Sequence, residues 1–247
     1  MLTVTDDRSG AAVPVKSRPS RLVRLTAVLP SGDDGMSWHA VRVLLVADLA
    51  RRVLEGLHGN QVRTTVIGSA EALASAGERL RELWIIPTDE VRAEPAGAEL
   101  VVAAADEVRP GGLDLCGAEI GGDQPVLAVA PVAELDVDGA EPTAVRLALL
   151  GVARREPVVG ASVADATRRL GRWRAEVAAA ARQPSAPIPA SAMAGIRAAC
   201  DDDLDAVALL RALDEVAEVN PAGARLETLL YVDRIVALDL ARGLTAG

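Results

Sequence analysis

The sequence predicts an α/β fold: a parallel β-sheet with helices on both faces, followed by an all-helical bundle. Two observations carry this expectation. Residues 25–67 run from a short apolar, β-branched segment through a long helical pattern into a second β-rich segment, the order of a βαβ unit with a right-handed crossover. In the last third of the chain, apolar residues recur at spacings of three and four, which describes helices alone.

Taken in order, residues 1–20 mix Gly, Ser, Pro and charges and are expected to form a mobile arm. Residues 25–29 suit a buried strand, and the turn cluster 30–35 stops it. From Ser37, a plausible N-cap, Val41, Leu44, Leu45, Leu49, Val53, Leu54 and Leu57 form one helical face. Arg42, Asp48, Arg51, Arg52 and Glu55 lie largely off that face. Gly59 stops the helix, and residues 61–67 form the second strand. Residues 71–83 read as a helix, residues 100–103 as a strand or a helix, and residues 124–135 as a strand with a connection. Helices are then expected at residues 162–181, 190–199, 203–219 and 226–241, with a proline-rich linker at 183–189. Trp173 is placed inside the bundle, and the acids Asp201, Asp202 and Asp203 are read as a helix start rather than a metal site.

Composition bounds the chemistry. Half of the 247 residues are hydrophobic, yet phenylalanine is absent and aromatic residues make up 2%, so Leu, Val and Ala must build the core. Lys16 is the sole lysine. A net charge of −9 makes nucleic acid a poor default partner. Cys116 and Cys200 have no spacing that suggests a metal knuckle or a disulfide framework. His58, near a helix end, reads as a dipole-favoured surface residue. No signal peptide or membrane span is evident, so a cytoplasmic location is expected.

A resemblance adds to this reading. VLPSGDDGMSWHAVRVLLVADLARRVLE, beginning at Val28, resembles the opening of cysteinyl-tRNA synthetases and of the related mycothiol-pathway cysteine ligase, approximately CGPTVYDYIHIGNARTFVVFDVLRRYLE. Pro30, Asp34, Arg42, Asp48, Arg51, Arg52, Leu54 and Glu55 coincide. Gly112, Leu113, Asp114 and Gly117 match the family's adenosine-side loop, and residues 141–147 its helix after the KMSKS loop. RLGRWR, at residues 169–174, looks more like the ligase than like the synthetases, and the acids at 201–203 match a structural DDDL element.

The resemblance implies a class I synthetase-like Rossmann domain over residues 21–140 and a helical domain over 141–247, with no anticodon-binding module. It places a vestigial nucleotide or ligand cleft at Pro30, Ser31, Ser37, His39, Asp114 and Gly117. The family's chemical residues are replaced. Its zinc cysteine falls on Val28, and its HIGH signature falls on Ser37-Trp38-His39-Ala40. Its zinc-binding WHIEC segment and its KMSKS loop have no counterpart. No catalytic residue and no metal ligand is therefore assigned, and no cofactor is expected: zinc is lost, and ATP is the family's substrate. The leading expectation is a catalytically silent paralogue that binds a small molecule or protein. The alternative is an ATP-dependent aminoacyl ligase with a remodelled site. A tRNA-binding accessory is the third reading, against which the negative charge counts; no membrane partner is expected.

Overall fold

The computed structural model describes residues 1–16, 21–31, 36–92, 97–109, 112–115, 118–119, 124–218 and 221–244. The organising unit begins with a strand at Leu22–Val28, preceded by a hairpin of two short strands. In chain order these are β1 (Thr3–Thr5), β2 (Ala12–Pro14) and β3 (Leu22–Val28). Helix α1 (Trp38–Gly56) follows, then β4 (Gln61–Ile67), α2 (Ala70–Ser75), α3 (Gly77–Glu82), β5 (Glu90–Arg92) and β6 (Leu100–Ala104). A 3-10 turn, Ala105–Glu107, leads into β7 (Val108–Arg109), β8 (Gly112–Leu115) and β9 (Ala118–Glu119), which form a small antiparallel sheet. Strand β10 (Val126–Val129) returns to the main sheet.

The main sheet is parallel throughout, in the order β10-β6-β3-β4-β5. The chain starts in the middle at β3, winds outward through β4 and β5, then restarts on the other side at β6. That reversal makes the ends of β3 and β6 a topological switch point, where open α/β sheets form a crevice. Its strands are short apolar runs because both faces are covered: Val23, Leu25 and Ala27 join the main core, while Val28 packs with Ile67, Val101, Ala103 and Val126 in a second cluster.

The helices follow as α4 (Pro142–Leu150), α5 (Val163–Ala180), α6 (Ala190–Asp201), α7 (Ala206–Glu215) and α8 (Ala222–Val236). Ser162 caps α5 by accepting the Asp165 N–H at 3.0 Å. Trp173 is buried, with the Arg169 guanidinium 4.7 Å from its ring centroid. Strand β6 resolves the ambiguity at residues 100–103, and the helix expected over 71–83 is two short helices meeting at Ala76 and Gly77. One apolar cluster runs from the sheet through α1 into α4, α5, α7 and α8.

Three expectations are corrected. Residues 1–16 are not an arm: Leu2 and Val15 are fully buried and Val4 nearly so, and β1 lies against the end of α6. Apolar residues at alternate positions give this hairpin a buried face despite its polar composition. Arg42 and Asp48 are not on an outer face of α1 but are 1% and 4% exposed, because α1 is sandwiched between the sheet and α8. The acids at 201–203 do not start a helix. Asp201 ends α6, and Asp205 caps α7 by accepting the Ala208 N–H at 2.9 Å.

Candidate functional site

Four of the six sequence-predicted cleft residues, Pro30, Ser31, Ser37 and His39, lie near the carboxyl ends of β3 and β10. The Leu29 N–H donates to the Ile67 carbonyl at 3.0 Å, which carries the backbone past β3 toward Pro30 and Ser31. Ser37 caps α1, its hydroxyl accepting the Ala40 N–H at 3.1 Å. Within the first turn of the helix, half-buried His39 donates an Nε2–H to the Val129 carbonyl at 2.9 Å. That bond fixes the tautomer, because a carbonyl can only accept, and it ties the start of α1 to the end of β10. Trp38, beside it, lies under the Arg79 guanidinium at 5.3 Å, and Arg79 also donates to the Met36 carbonyl at 3.1 Å.

Glu107 is the residue that sequence reasoning missed here. It sits in the turn after β6, 7% exposed, and its Oε1 accepts the Ser31 N–H at 2.6 Å. A carboxylate thus closes across the switch point onto the loop that leaves β3. The signal was present in the sequence: an acid three residues after an apolar strand, where parallel sheets place their ligand chemistry. Asp114 lies on β8, whose backbone packs beside that turn. Gly117 falls outside the described residues, as do Asp33, Asp34 and Cys116.

The remaining singled-out groups lie elsewhere. Val28, fully buried, ends β3 inside the second apolar cluster. Cys200 is buried in the helical region, and burial, with the neighbouring Asp201 charge, pushes its thiol up to about 12. His58 Nε2 lies 2.8 Å from Asp201 Oδ1, so it faces an acid across the fold rather than open solvent. Among the described residues, no group of three or more His, Cys, Asp or Glu is arranged to hold a metal ion.

The arginines at 168–174 each face an acid. Arg168 pairs with Asp165, Arg169 and Arg172 with Asp214 at 2.6 and 3.4 Å, and Arg174 with Glu141 at 2.7 Å. The scaffold arginines are engaged more deeply. Arg42 donates to the carbonyls of Ala130, Val152, Ala153 and Glu156 at 2.7–3.0 Å, and burial lowers its pKa to about 10. Arg146, fully buried, donates to Asp48 Oδ2 at 2.6 Å and to the carbonyls of Leu83 and Val236 at 2.7 and 2.6 Å. No helix among the described residues is long and apolar enough to cross a membrane.

No family model matches the chain. A solved chain assigned as an arginyl-tRNA synthetase, from Campylobacter jejuni, superposes with a TM-score of 0.49 over 91% of each chain at 10% identity. By sequence, the chain is 42% identical over 95 residues, 38% of its length, to the L-cysteine:1D-myo-inositol 2-amino-2-deoxy-alpha-D-glucopyranoside ligase of Thermomonospora curvata. It is 37% identical over 89 residues, 35% of its length, to the ligase of the same name from Nocardiopsis dassonvillei. These matches span 22% and 21% of the relatives' own lengths, so the chain covers about a fifth of the proteins it resembles. Over these stretches the chain is similar to the two cysteine ligases.

Proposed function

We propose that this chain is a catalytically silent relative of the cysteine ligases that serves as a binding or regulatory protein. The observation that carries the reading is Glu107. A buried carboxylate holds the Ser31 N–H at the switch point, where a phosphate-binding crevice presents free N–H groups and positive potential. A negative charge there opposes a triphosphate. His39 supports the same reading, since its Nε2–H is committed to the Val129 carbonyl. Val28 occupies the position of the family's zinc cysteine from within an apolar cluster, so the residues present do not suit that metal. The arginines at 168–174 are matched by acids, which argues against tRNA as the partner. The same reading keeps the protein in the cytoplasm.

The test is cysteine-dependent exchange of pyrophosphate into ATP, run beside calorimetry with ATP alone. The expected result is no exchange above background and no saturable ATP binding at millimolar concentration. Robust exchange that disappears in His39→Ala would establish a remodelled ligase site and overturn the silent reading.

A further inference from the structure

Residues 80–88 carry an exposed indole and the wall of an apolar hollow within one short stretch. At the end of α3 the Trp84 N–H donates to the Arg81 carbonyl at 3.0 Å and the Ile85 N–H to the Leu80 carbonyl at 2.9 Å. These are the paired bonds of a helix stop whose left-handed position usually holds glycine. Here that position is Trp84, with φ at +56° and the residue 50% exposed. Its backbone is fixed, because the Trp84 carbonyl accepts from Arg52 and the Leu83 carbonyl from Arg146, each at 2.7 Å. The other two tryptophans are engaged within the chain: Trp38 lies under Arg79 and Trp173 is buried.

The same stretch walls a cavity of about 270 Å³ between α1, β4, α2, α3 and the loop into β5. Leu44, Leu73, Leu80 and Ile85 make it apolar. Of the charged groups that line it, Asp48 accepts from Arg52, Arg146 and the Ile86 N–H, and Arg51 donates to Glu55 and Asp89. Arg81 also lines it, is exposed, and has no ion pair or side-chain hydrogen bond among the described residues. Glu82, the next residue of α3, is exposed and has none either among the described residues. An engineered apolar cavity of about 150 Å³ accepts benzene, so this one has room for an indole ring.

A surface with both an exposed indole and a hollow of indole size is self-complementary, which is what a two-fold contact between identical chains requires. We propose that two copies of this chain pair through this face, each Trp84 indole entering the other copy's cavity against Leu44, Leu73, Leu80 and Ile85. A tryptophan set where glycine would suit the backbone, and left exposed in the single chain, is thereby accounted for as the anchor of the contact. The unpaired charges fit the same partner. Glu82 travels with the indole and Arg81 stands at the cavity, so the two-fold sets each Glu82 beside the other copy's Arg81.

The test is analytical sedimentation of the full chain across concentration. Its readout is mass rather than nucleotide or cysteine chemistry, so its failure leaves the reading of the switch-point crevice standing. The parent is expected to dimerise with a dissociation constant below about 100 µM. Trp84→Gly should weaken the dimer about tenfold or more. Measured where both are monomers, its melting temperature should equal or exceed that of the parent, because glycine suits a φ of +56°. Arg81→Glu and Glu82→Arg should each weaken the dimer about tenfold, since each sets like charges opposite each other, and the two together should restore it to within about threefold. A parent that stays monomeric at about 500 µM, about fivefold above the expected constant, would overturn the proposal. So would a dimer that Trp84→Gly leaves intact, or a double variant as weak as the single ones.

Discussion

Asp48 is where α1, α4 and the loop after α3 are fastened together. Its Oδ2 receives Arg146 at 2.6 Å and Arg52 at 2.9 Å, and its Oδ1 receives the Ile86 N–H at 3.0 Å. A carboxylate and a guanidinium this deeply buried are expensive to desolvate, and the cost is offset only when every donor and acceptor is met. Here Arg146 also spans the carbonyls of Leu83 and Val236, so one side chain joins the helical region to the α3 end of the sheet layer. Arg146→Met is therefore expected to cost about 3–5 kcal/mol, because Asp48 loses its closest partner and two carbonyls lose their donors. Urea unfolding followed by circular dichroism measures it. Pairing Asp48→Asn with Arg146→Met should cost less than the sum of the two, since the second change removes the charge that the first left stranded. A loss below about 1 kcal/mol for Arg146→Met would mean that Arg52 alone satisfies the acid.

At the scale of elements, α1 shows what was legible and what was not. Its start at Ser37, its stop before Gly59, where φ is +66°, and its place in a βαβ unit all follow from the sequence pattern. The burial of Arg42 and Asp48 does not follow from a one-face reading. A fuller signal was available: between Ala40 and Ala50 apolar residues occupy every side of the helix, and such a helix is buried all round. The charges within that run are then placed for internal bonds. For Glu107 the position after an apolar strand was a signal, but its partner was not legible, because that partner is a backbone N–H 76 positions away. The acids at 201–203 were misread for a similar reason: their partners are Met1, Thr5 and Arg154, far away in sequence.

Glu141 fastens the start of α4 to α5 and carries a pH-dependent consequence. The hydrogen-bonded Arg174 guanidinium, at 2.7 Å, is the largest cause that draws its carboxyl down to about 2 from an ordinary 4.5, with Thr143 and Arg242 adding to it. A carboxyl that is more acidic in the folded chain contributes stability above its unfolded pKa and loses it as pH falls toward its folded pKa. The window is therefore from about 4.5 down to about 2. In Glu141→Gln, unfolding measured across that range should show a shallower loss of stability with acidification than in the parent. An identical slope in both proteins would mean that the pair contributes nothing in solution.

For the molecule as a whole, the hairpin at residues 1–16 closes the fold. Its Leu2, Val4 and Val15 belong to the same apolar cluster as the sheet and the helical bundle. Its polar edge is held by Arg154, 8% exposed at the side chain, which bridges Asp7 at 2.5 Å and Asp203 at 2.7 Å and also donates to the Ala128 carbonyl at 2.9 Å. Asp203 in turn accepts the Thr5 N–H at 2.8 Å, and its own N–H donates to the Thr3 carbonyl at 2.9 Å. Arg154 is thus shared by the hairpin, the end of β10 and the α6–α7 turn. Arg155 contacts both acids at 2.6 and 3.2 Å but is 43% exposed and weakened by solvent. Arg154→Ala should therefore open the hairpin locally rather than unfold the chain, at a cost of about 2–3 kcal/mol at that edge. Hydrogen exchange followed by mass spectrometry would read this as a loss of protection of about 30- to 150-fold in peptides from residues 1–16. Peptides from β3, β4 and β6 should keep theirs. Equal loss across the sheet would mean that the hairpin and the core unfold as one unit, and unchanged protection at the hairpin would mean that its three apolar residues suffice to hold it.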